Sequence, residues 1–448
     1  MVFYKIFSPP LPQEEGKSVF MWASAMFRRY VLIFSAVVSW FFFSSMALAA
    51  DGPESKDELT IEQAIKIALK NNPNIKVADE ICKAGHAGIG QIQSARYPQL
   101  NLQSAYSRSQ HSPAQNYYDN TFQLSQLIFD FGKTSGLAAS ASENYESLKE
   151  SYQGSRQTVA MNTKVYYYSC LAFQWELILN EETVRQREQL LDQAKHFFRV
   201  GLKPRIDVTR TEANLYDAKL SFIRAQNGLR IAKINLVNSL GIEKLQWDRL
   251  RDVLEIKKPV VMNLEDAKST AIKRRTELLQ NRALEKMREF SLKAAKSGYL
   301  PGFSGNASYG WSSSDFPLQE EWTVGIQMTV PLFTGFNKRE EIKEKEANLR
   351  QVKASTDVII QDILSEVGQA YSGMETASGQ IEAAKKGRQA SMENLEHATK
   401  RYQQGMNGII EVTDAQVQSL SAETEYINSL YDYKIAEAMF EKATGNLY

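Results

Sequence analysis

The spacing of hydrophobic residues changes to a period of two at several places in the chain. Apolar residues alternate with polar or small ones from Leu100, from Phe303 and from Trp322, and less regularly from Phe122, where the phase shifts near 126–127. Because successive side chains of a strand point to opposite faces, these segments are predicted to be four strands, each with one apolar and one polar face. Aromatic residues gather near the strand ends.

Between the strands, the sequence predicts unusually long helices. Neither the stretch from about 135 to about 200 nor the one from about 338 to 404 contains a proline. Each predicts a helix of roughly 65 residues, about 98 Å long at 1.5 Å per residue. A partner helix follows the first one, and its apolar seam has a period of 3.5 residues, which indicates a left-handed supercoil. The seam consists of Leu215, Ala218, Phe222, Ala225, Leu229, Ala232 and Leu236.

A shorter helix is predicted to precede the first two strands. It begins near Thr60, where Gln63 stands at the correct distance for a capping box. It ends before Tyr97, because the residue that precedes a proline disfavours helical backbone.

The two halves of the chain carry the same series of elements. Five segments of the first half resemble, in the same order, segments that lie 203 to 205 positions later. One pair is LIFDFGK from Leu127 and LFTGFNK from Leu332; another is the turn of the long helices at Gly201 and Gly405. Such a series indicates a duplicated unit. We assign residues 50–242 to the first repeat, 243–262 to a linker and 263–448 to the second repeat.

The N-terminal region has the pattern of a secretion signal. Arg28 and Arg29 precede an apolar run over 31–43, and a small-x-small motif ends at Ala49. We expect residues 1–49 to be a signal peptide, so that the mature protein leaves the cytoplasm. A retained membrane anchor is the alternative. We expect the natural start to be Met21 or Met26, because residues 1–25 do not resemble a signal sequence.

Composition excludes several classes of function. The 53 basic and 52 acidic residues nearly balance, which argues against a nucleic-acid partner. The four histidines are dispersed, and no catalytic or metal-ligand motif occurs, so we expect neither an enzyme nor a cofactor or metal site. Cys82 and Cys170 are expected to be small buried residues in helices.

Four strands after a secretion signal suggest part of an outer-membrane barrel wall. Strands of about ten residues with apolar alternation and aromatic ends are typical of such walls. A membrane barrel needs at least about eight strands, and an open sheet edge cannot lie in lipid. Other copies of the chain must therefore complete the barrel. An ordinary antiparallel sheet packed on helices is the alternative.

The duplicated helix–strand–strand–helix unit, the two glycine turns and the Leu-Phe-x-Gly-Phe-type strand ends together resemble the TolC family of outer-membrane efflux and secretion channels. The resemblance extends over about residues 59–445. It implies an α+β membrane protein of the Gram-negative outer membrane, in contact with outer-membrane lipid. Long helical hairpins would form a periplasmic α-barrel, and four strands from each chain of a homotrimer would form a twelve-stranded transmembrane β-barrel. The linker over 243–262 would lie in a belt at the middle of the tunnel.

The resemblance also implies a function as a channel-tunnel. Such a tunnel carries substrates from the periplasm or an inner-membrane pump to the outside, in a tripartite efflux or type I secretion system. Its partners are a periplasmic adaptor (membrane fusion) protein and an inner-membrane transporter. The alternatives are a periplasmic coiled-coil adaptor, whose hairpin would not be duplicated, and a structural coiled-coil protein of the envelope, which would lack the alternating strands.

Site residues follow from the same resemblance. The turns at Gly201 and Gly405 would contact the adaptor, and a periplasmic gate would include a hydroxyl–carboxylate hydrogen bond from Tyr402 to Asp207. The basic gate residue of the family falls at Asn407, with Arg205 or Arg210 as replacements. The gate residues are Asp207, Tyr402, Glu411 and Asp414, and the aromatic belt residues are Phe131, Trp311, Trp322 and Phe336. For Asp207 and Glu411, simple capping of a helix N-terminus is the alternative.

Overall fold

The computed structural model describes residues 58–110, 115–245, 247, 249–252, 262–406 and 408–446. The predicted signal peptide, most of the predicted linker and Asn407 lie outside these residues. The elements of the first half are β1 Glu58–Leu59, α1 Ile61–Asn71, α2 Pro73–Gln93, β2 Gln99–Ser109, β3 Gln115–Phe129, α3 Lys133–Arg199 and α4 Arg205–Leu240. Those that follow are β4 Arg249–Leu250, α5 Leu264–Arg274, α6 Thr276–Ser297, β5 Gly302–Ser313, β6 Gln319–Thr329, α7 Asn337–Gln403 and α8 Ile409–Ala443. The predicted α+β architecture with an internal duplication is confirmed.

The short predicted helix is in fact two helices. The capping box forms as expected, since Thr60 Oγ1 accepts from the Gln63 backbone at 3.3 Å and Gln63 Oε1 accepts from the Thr60 backbone at 3.1 Å. The helix then breaks at Asn72, which has an extended backbone (φ −61°, ψ 127°) because Pro73 follows it. Asn72 also caps α2, because its side chain accepts from the Asn74 backbone at 2.9 Å.

The long helices match their predicted bounds to within two residues. Helices α3 and α7 contain 67 residues each, which corresponds to a length of about 100 Å. Each folds back into its partner, α4 or α8, through a short turn. Five of the seven predicted seam residues of α4 are buried, namely Leu215, Ala218, Ala225, Ala232 and Leu236, and Phe222 and Leu229 are partly buried. Among the described residues, we find no helix with the length and apolar character needed to cross a membrane.

The four longer strands form one antiparallel sheet in the order β2-β3-β5-β6. Its register puts the apolar positions of neighbouring strands opposite one another. One cross-strand row joins Leu102 to Phe122, Phe122 to Tyr309 and Tyr309 to Trp322. The intervening rows are polar, so the sheet has one apolar and one polar face. A register shift between Leu127 and Phe129 accounts for the irregular phase of β3.

Strand β6 is displaced toward the chain start relative to its prediction. The alternation in the sequence extends from Trp322 to Leu332, whereas the strand runs from Gln319 to Thr329. Pro331 explains the early end, because it lacks the backbone N–H that pairing requires and restricts the residue before it.

The segment between the repeats is anchored to the middle of the hairpins. Strand β1 pairs in parallel with β4, with Leu59 opposite Leu250. The buried hydroxyl of Tyr167 on α3 lies 2.7 Å from the Leu59 carbonyl oxygen and 2.8 Å from that of Arg251. The backbone at Leu59 and at Arg251 is therefore fixed to the same turn of α3.

Candidate gate at the hairpin tips

The tips of the two hairpins meet in a small apolar cluster. Helix α8 packs against both α7 and α3, which brings the second hairpin against the first. We call the buried residues here the tip cluster, with Phe197 and Leu395 partly buried against it. The tip cluster consists of Leu190, Ala398, Tyr402, Ile409, Val412 and Ala415. Since these residues come from α3, α7 and α8, the cluster joins both repeats.

Both turns have the same backbone conformation. Gly201 and Gly405 each have φ +76°, in the left-handed region. In each turn the residue after the glycine closes the helix end, because Leu202 N–H donates to Phe197 O and Met406 N–H donates to Arg401 O, both at 2.9 Å. A Cβ atom at either glycine would meet nothing within 4 Å, so the backbone conformation alone requires glycine. Both turns therefore lie where the sequence predicts them, and their contact with an adaptor stays a prediction.

Tyr402 lies at the centre of the tip cluster. Its side chain is fully buried, and its ring packs edge to face on Phe197 with a centroid distance of 5.7 Å and an interplanar angle of 63°. The ammonium of Lys203 lies 5.5 Å from the ring centroid. Burial raises the pKa of the Tyr402 hydroxyl to about 12, with a smaller contribution from the negative charge of Asp207.

The predicted hydrogen bond between Tyr402 and Asp207 does not form in this structure. The Tyr402 hydroxyl is buried and has no hydrogen-bond partner among the described residues. Asp207 is half-buried in the first turn of α4, where its backbone N–H donates to Pro204 O at 3.1 Å. Its charge acts on Tyr402 only through space. The physical reason is that Tyr402 is enclosed by apolar side chains.

The two predicted gate acids of α8 lie outside the tip cluster. Glu411 and Asp414 are exposed, whereas Val412 and Ala415, one position further along in each case, are buried in the tip cluster. Glu411 has an ion-pair partner that was not predicted from the sequence. Arg401 Nη1 lies 3.9 Å from Glu411 Oε2, across the turn. Glu411 and Asp414 therefore face away from the tip cluster that encloses Tyr402.

The basic residues proposed as replacements at the gate are exposed. Arg205 and Arg210 both lie on the solvent side of α4, and Asn407 is outside the described residues. Asp207 and Glu411 stand in the first turns of α4 and α8, as the capping alternative requires.

Phe197 and Lys203 also belong to the tip but were not predicted. Phe197 follows Leu190 and Ala194 at helical spacing of four and three residues, and both of these are buried. That spacing would have placed Phe197 on the buried face of α3. Phe198 falls off this face and is 44% exposed.

The predicted aromatic belt residues lie at the two ends of the sheet. Trp311 and Trp322 are near the loop between β5 and β6. Phe131 and Phe336 are at the opposite end, where the strands continue into α3 and α7, and they have φ values of 53° and 65°. Positive φ is uncommon for an aromatic residue, and it marks the bend from strand to helix in both repeats. Their role as a belt stays a prediction.

The fold and the tip together define a class of protein. Each of its two repeats contains one very long helical hairpin, and the strands of both repeats form a single antiparallel sheet. The family model described as "Outer membrane efflux protein" matches residues 64–242 and 268–446. The chain belongs to this outer membrane efflux protein family. It is an outer-membrane protein of the Gram-negative envelope with a role in efflux.

Individual relatives agree with this assignment. Outer membrane protein TolC of Escherichia coli (strain K12) is 23% identical over 419 residues, which cover 86% of this chain and 82% of that protein. Outer membrane efflux protein BepC of Brucella suis biovar 1 (strain 1330) is 20% identical over 395 residues, with 87% and 86% covered. The crystal structure of the Campylobacter jejuni CmeC outer membrane channel superposes with a TM-score of 0.78 at 18% identity, over 90% of both chains. These relatives are channel and efflux proteins, not enzymes.

Proposed function

We propose that three copies of this chain form a channel-tunnel that carries substrates from the periplasm, or from an inner-membrane pump, to the outside. The sheet motivates this assembly, because its outer strands β2 and β6 each pair along one edge only within the described sheet. Unpaired edges are not tolerated in lipid. Pairing of β6 with β2 of the next copy would satisfy both edges and would give a closed barrel of twelve strands.

The two faces of the sheet carry the proposal. On the apolar face, Trp322, Val324 and Ile326 are 71%, 73% and 77% exposed in the single chain. The other face carries polar residues in register across the strands; they include Asn101, Gln123, Ser125, Asn306, Ser308 and Thr323. A wall with one apolar side and one polar side suits lipid outside and water inside.

The hairpin tips are suited to an adaptor protein. The turns expose apolar side chains, since Leu202, Ile206 and Met406 are 69%, 64% and 63% exposed. Exposed apolar residues at the end of a long helical hairpin indicate a protein contact. An adaptor there would connect the tunnel to an inner-membrane transporter. Relatives described as efflux pump outer membrane proteins, such as TtgC of Pseudomonas putida, support such a pump.

The gate of the tunnel would lie at the same tips. Three copies of Glu411 and Asp414 would surround the pore with carboxylates, which favour cations. Tyr402 would hold the tip through the tip cluster, and the charge of Asp207 would act on Tyr402 through space.

Single-channel current through the protein, purified from an outer-membrane fraction, tests this function. We expect small, cation-preferring steps that grow, and that lose their cation preference, when Glu411→Gln and Asp414→Asn are combined. Glu265→Gln is a matched control, because Glu265 is an exposed acid of α5, 74% accessible and far along the chain from the tip. A protein that fractionates as soluble and gives no channels under any condition would contradict the proposal.

A further inference from the structure

The contact between Phe197 and Tyr402 is the aromatic link between the two hairpin tips. Phe197 belongs to the end of α3 in the first repeat and Tyr402 to the end of α7 in the second. Their rings meet edge to face at 5.7 Å, within the favoured range for aromatic pairs. Lys203, from the turn of the first hairpin, places its ammonium 5.5 Å from the centroid of the Tyr402 ring.

Polar contacts at Tyr402 do not account for this link. The hydroxyl has no hydrogen-bond partner among the described residues although the whole side chain is buried. The side chains that pack with Tyr402 in the tip cluster are apolar or aromatic and come from α3, α7 and α8. The holding interaction is therefore the ring and not the hydroxyl.

We infer that Phe197 is a positioning residue of the gate, which holds Tyr402, and with it the end of α7, against the first hairpin. This inference rests on the proposed channel function. Any opening in which the second hairpin moves away from the first must separate the two rings. Phe197 thus favours the closed tip without contacting the substrate.

The test compares two adjacent phenylalanines. Phe197→Leu keeps apolar bulk and removes the ring edge, while Phe198→Leu makes the same change at a residue that is 44% exposed and lies outside the tip cluster. Phe197→Tyr is the conservative variant, since Phe197 is only partly buried and a hydroxyl there can reach water. Phe197→Met replaces Phe197→Leu if the latter gives no folded trimer.

Single-channel recording gives the first readout. We expect Phe197→Leu to raise the ratio of open to closed time about three- to tenfold, the range an aromatic pair supports. Phe198→Leu and Phe197→Tyr should behave as wild type. Tyr402→Leu should open the tip similarly, and the double variant should open it no more than the larger single change, because both remove one contact. Wild-type gating in a folded Phe197→Leu trimer overturns the inference.

Chemical access to Tyr402 gives a readout that does not depend on channel activity. Nitration of Tyr402 by tetranitromethane, followed by peptide mass spectrometry, should be slow in the wild type and in Phe198→Leu, and severalfold faster in Phe197→Leu. Equal nitration rates overturn the inference. If the wild type gives no current at all, the channel function fails, and the nitration result still decides whether Phe197 positions Tyr402.

Discussion

Gly241 and Gly445 end the return helices of the two repeats with the same left-handed turn and the same close contact. Their φ values are 66° and 71°. A Cβ atom at Gly241 would lie 2.8 Å from the backbone carbonyl of Asn71, and one at Gly445 would lie 3.0 Å from the backbone of Arg274. In each repeat, therefore, the glycine lets the end of the long hairpin rest on the junction between the two short helices.

The same junction is closed by side chains of different chemistry. In the first repeat, Asn72 Nδ2 donates to Ser239 O at 2.8 Å. In the second, the buried Arg275 takes this place: Nη1 donates to Ala443 O at 3.3 Å, and the guanidinium also pairs with Glu277 and Glu366 at 2.9 and 2.7 Å. The duplication has thus kept the contact and changed the groups that make it.

Alanine at either glycine should destabilise the protein. The left-handed backbone and the contact with the junction both oppose a Cβ atom, so we expect Gly241→Ala to cost about 2–4 kcal/mol of unfolding free energy. Gly445→Ala should cost less, because its contact distances are longer. Denaturant unfolding followed by circular dichroism measures both.

A glycine inside a long helix provides the control for these variants. Gly387 lies within α7, and a Cβ atom there would meet nothing within 4 Å. Gly387→Ala should be neutral or stabilising by up to about 1 kcal/mol. If Gly241→Ala were as stable as Gly387→Ala, neither the left-handed backbone at position 241 nor the nearby carbonyl of Asn71 would oppose a Cβ atom there.

The sequence predicted those features that depend on local pattern. The absence of proline predicted α3 and α7, alternation predicted the sheet, and the repeated glycines predicted the turns at Gly201 and Gly405. The break at Asn72 was missed, although the proline that causes it is visible in the sequence. The helical spacing of apolar residues continues past this point, and the prediction followed that spacing although Pro73 disfavours helical backbone at Asn72.

The contacts of the site were less predictable because they join distant parts of the chain. The tip cluster combines α3, α7 and α8, and nothing in the sequence around Tyr402 indicates that Phe197 covers its ring. The resemblance to a family predicted a hydrogen bond from Tyr402 to Asp207, but the packing of this chain buries the hydroxyl without a partner. The helical spacing of Leu190, Ala194 and Phe197 predicts only that Phe197 lies on the buried face of α3, and not which residue it contacts.

Tyr402→Phe should reduce the loss of folding stability that the wild type shows at alkaline pH. The folded protein keeps the Tyr402 proton up to a pKa of about 12, whereas the ordinary pKa is 10.0. Stability from this group is therefore fully present below pH 10 and is lost as the pH rises toward 12. The free energy of unfolding of the wild type should fall more steeply over this window than that of Tyr402→Phe. At neutral pH Tyr402→Phe should be more stable than the wild type by about 1 kcal/mol, because the buried hydroxyl that it removes has no partner among the described residues.

Asp207→Asn serves as the control for this pH dependence. Burial is the larger cause of the raised pKa and the Asp207 charge is the smaller one. Asp207→Asn should therefore only slightly shorten the pH range over which the free energy of unfolding falls. The other tyrosines are common to all three proteins, so their contribution cancels in the comparison. Parallel pH profiles for the wild type and Tyr402→Phe would show that the hydroxyl reaches water in the folded tip.

Loss of the Asp252 carboxylate should loosen the middle of the molecule. Trp175 Nε1 on α3 donates to Asp252 Oδ2 at 2.8 Å, and the Tyr431 hydroxyl on α8 donates to Oδ1 at 3.0 Å. Asp252→Ala leaves both donors without this acceptor and should cost about 2–3 kcal/mol. Tyr431→Phe removes one of the two bonds and should cost about half as much in thermal or denaturant unfolding. Equal costs would mean that the bond from Trp175 contributes nothing.

A lysine on the apolar face of the sheet should prevent insertion into the outer membrane. Ile326 and Gln327 are neighbours in β6 and point to opposite faces, with Ile326 77% exposed on the apolar one. A lysine that faces the middle of a bilayer costs about 2–4 kcal/mol in a barrel strand, and three copies would repeat that cost. Ile326→Lys should therefore lower the amount of trimer recovered from the outer-membrane fraction, while Gln327→Lys, which faces the polar side, should assemble as wild type. Equal recovery of the two variants would contradict the assignment of the apolar face to lipid, and a selective loss of Gln327→Lys would reverse it.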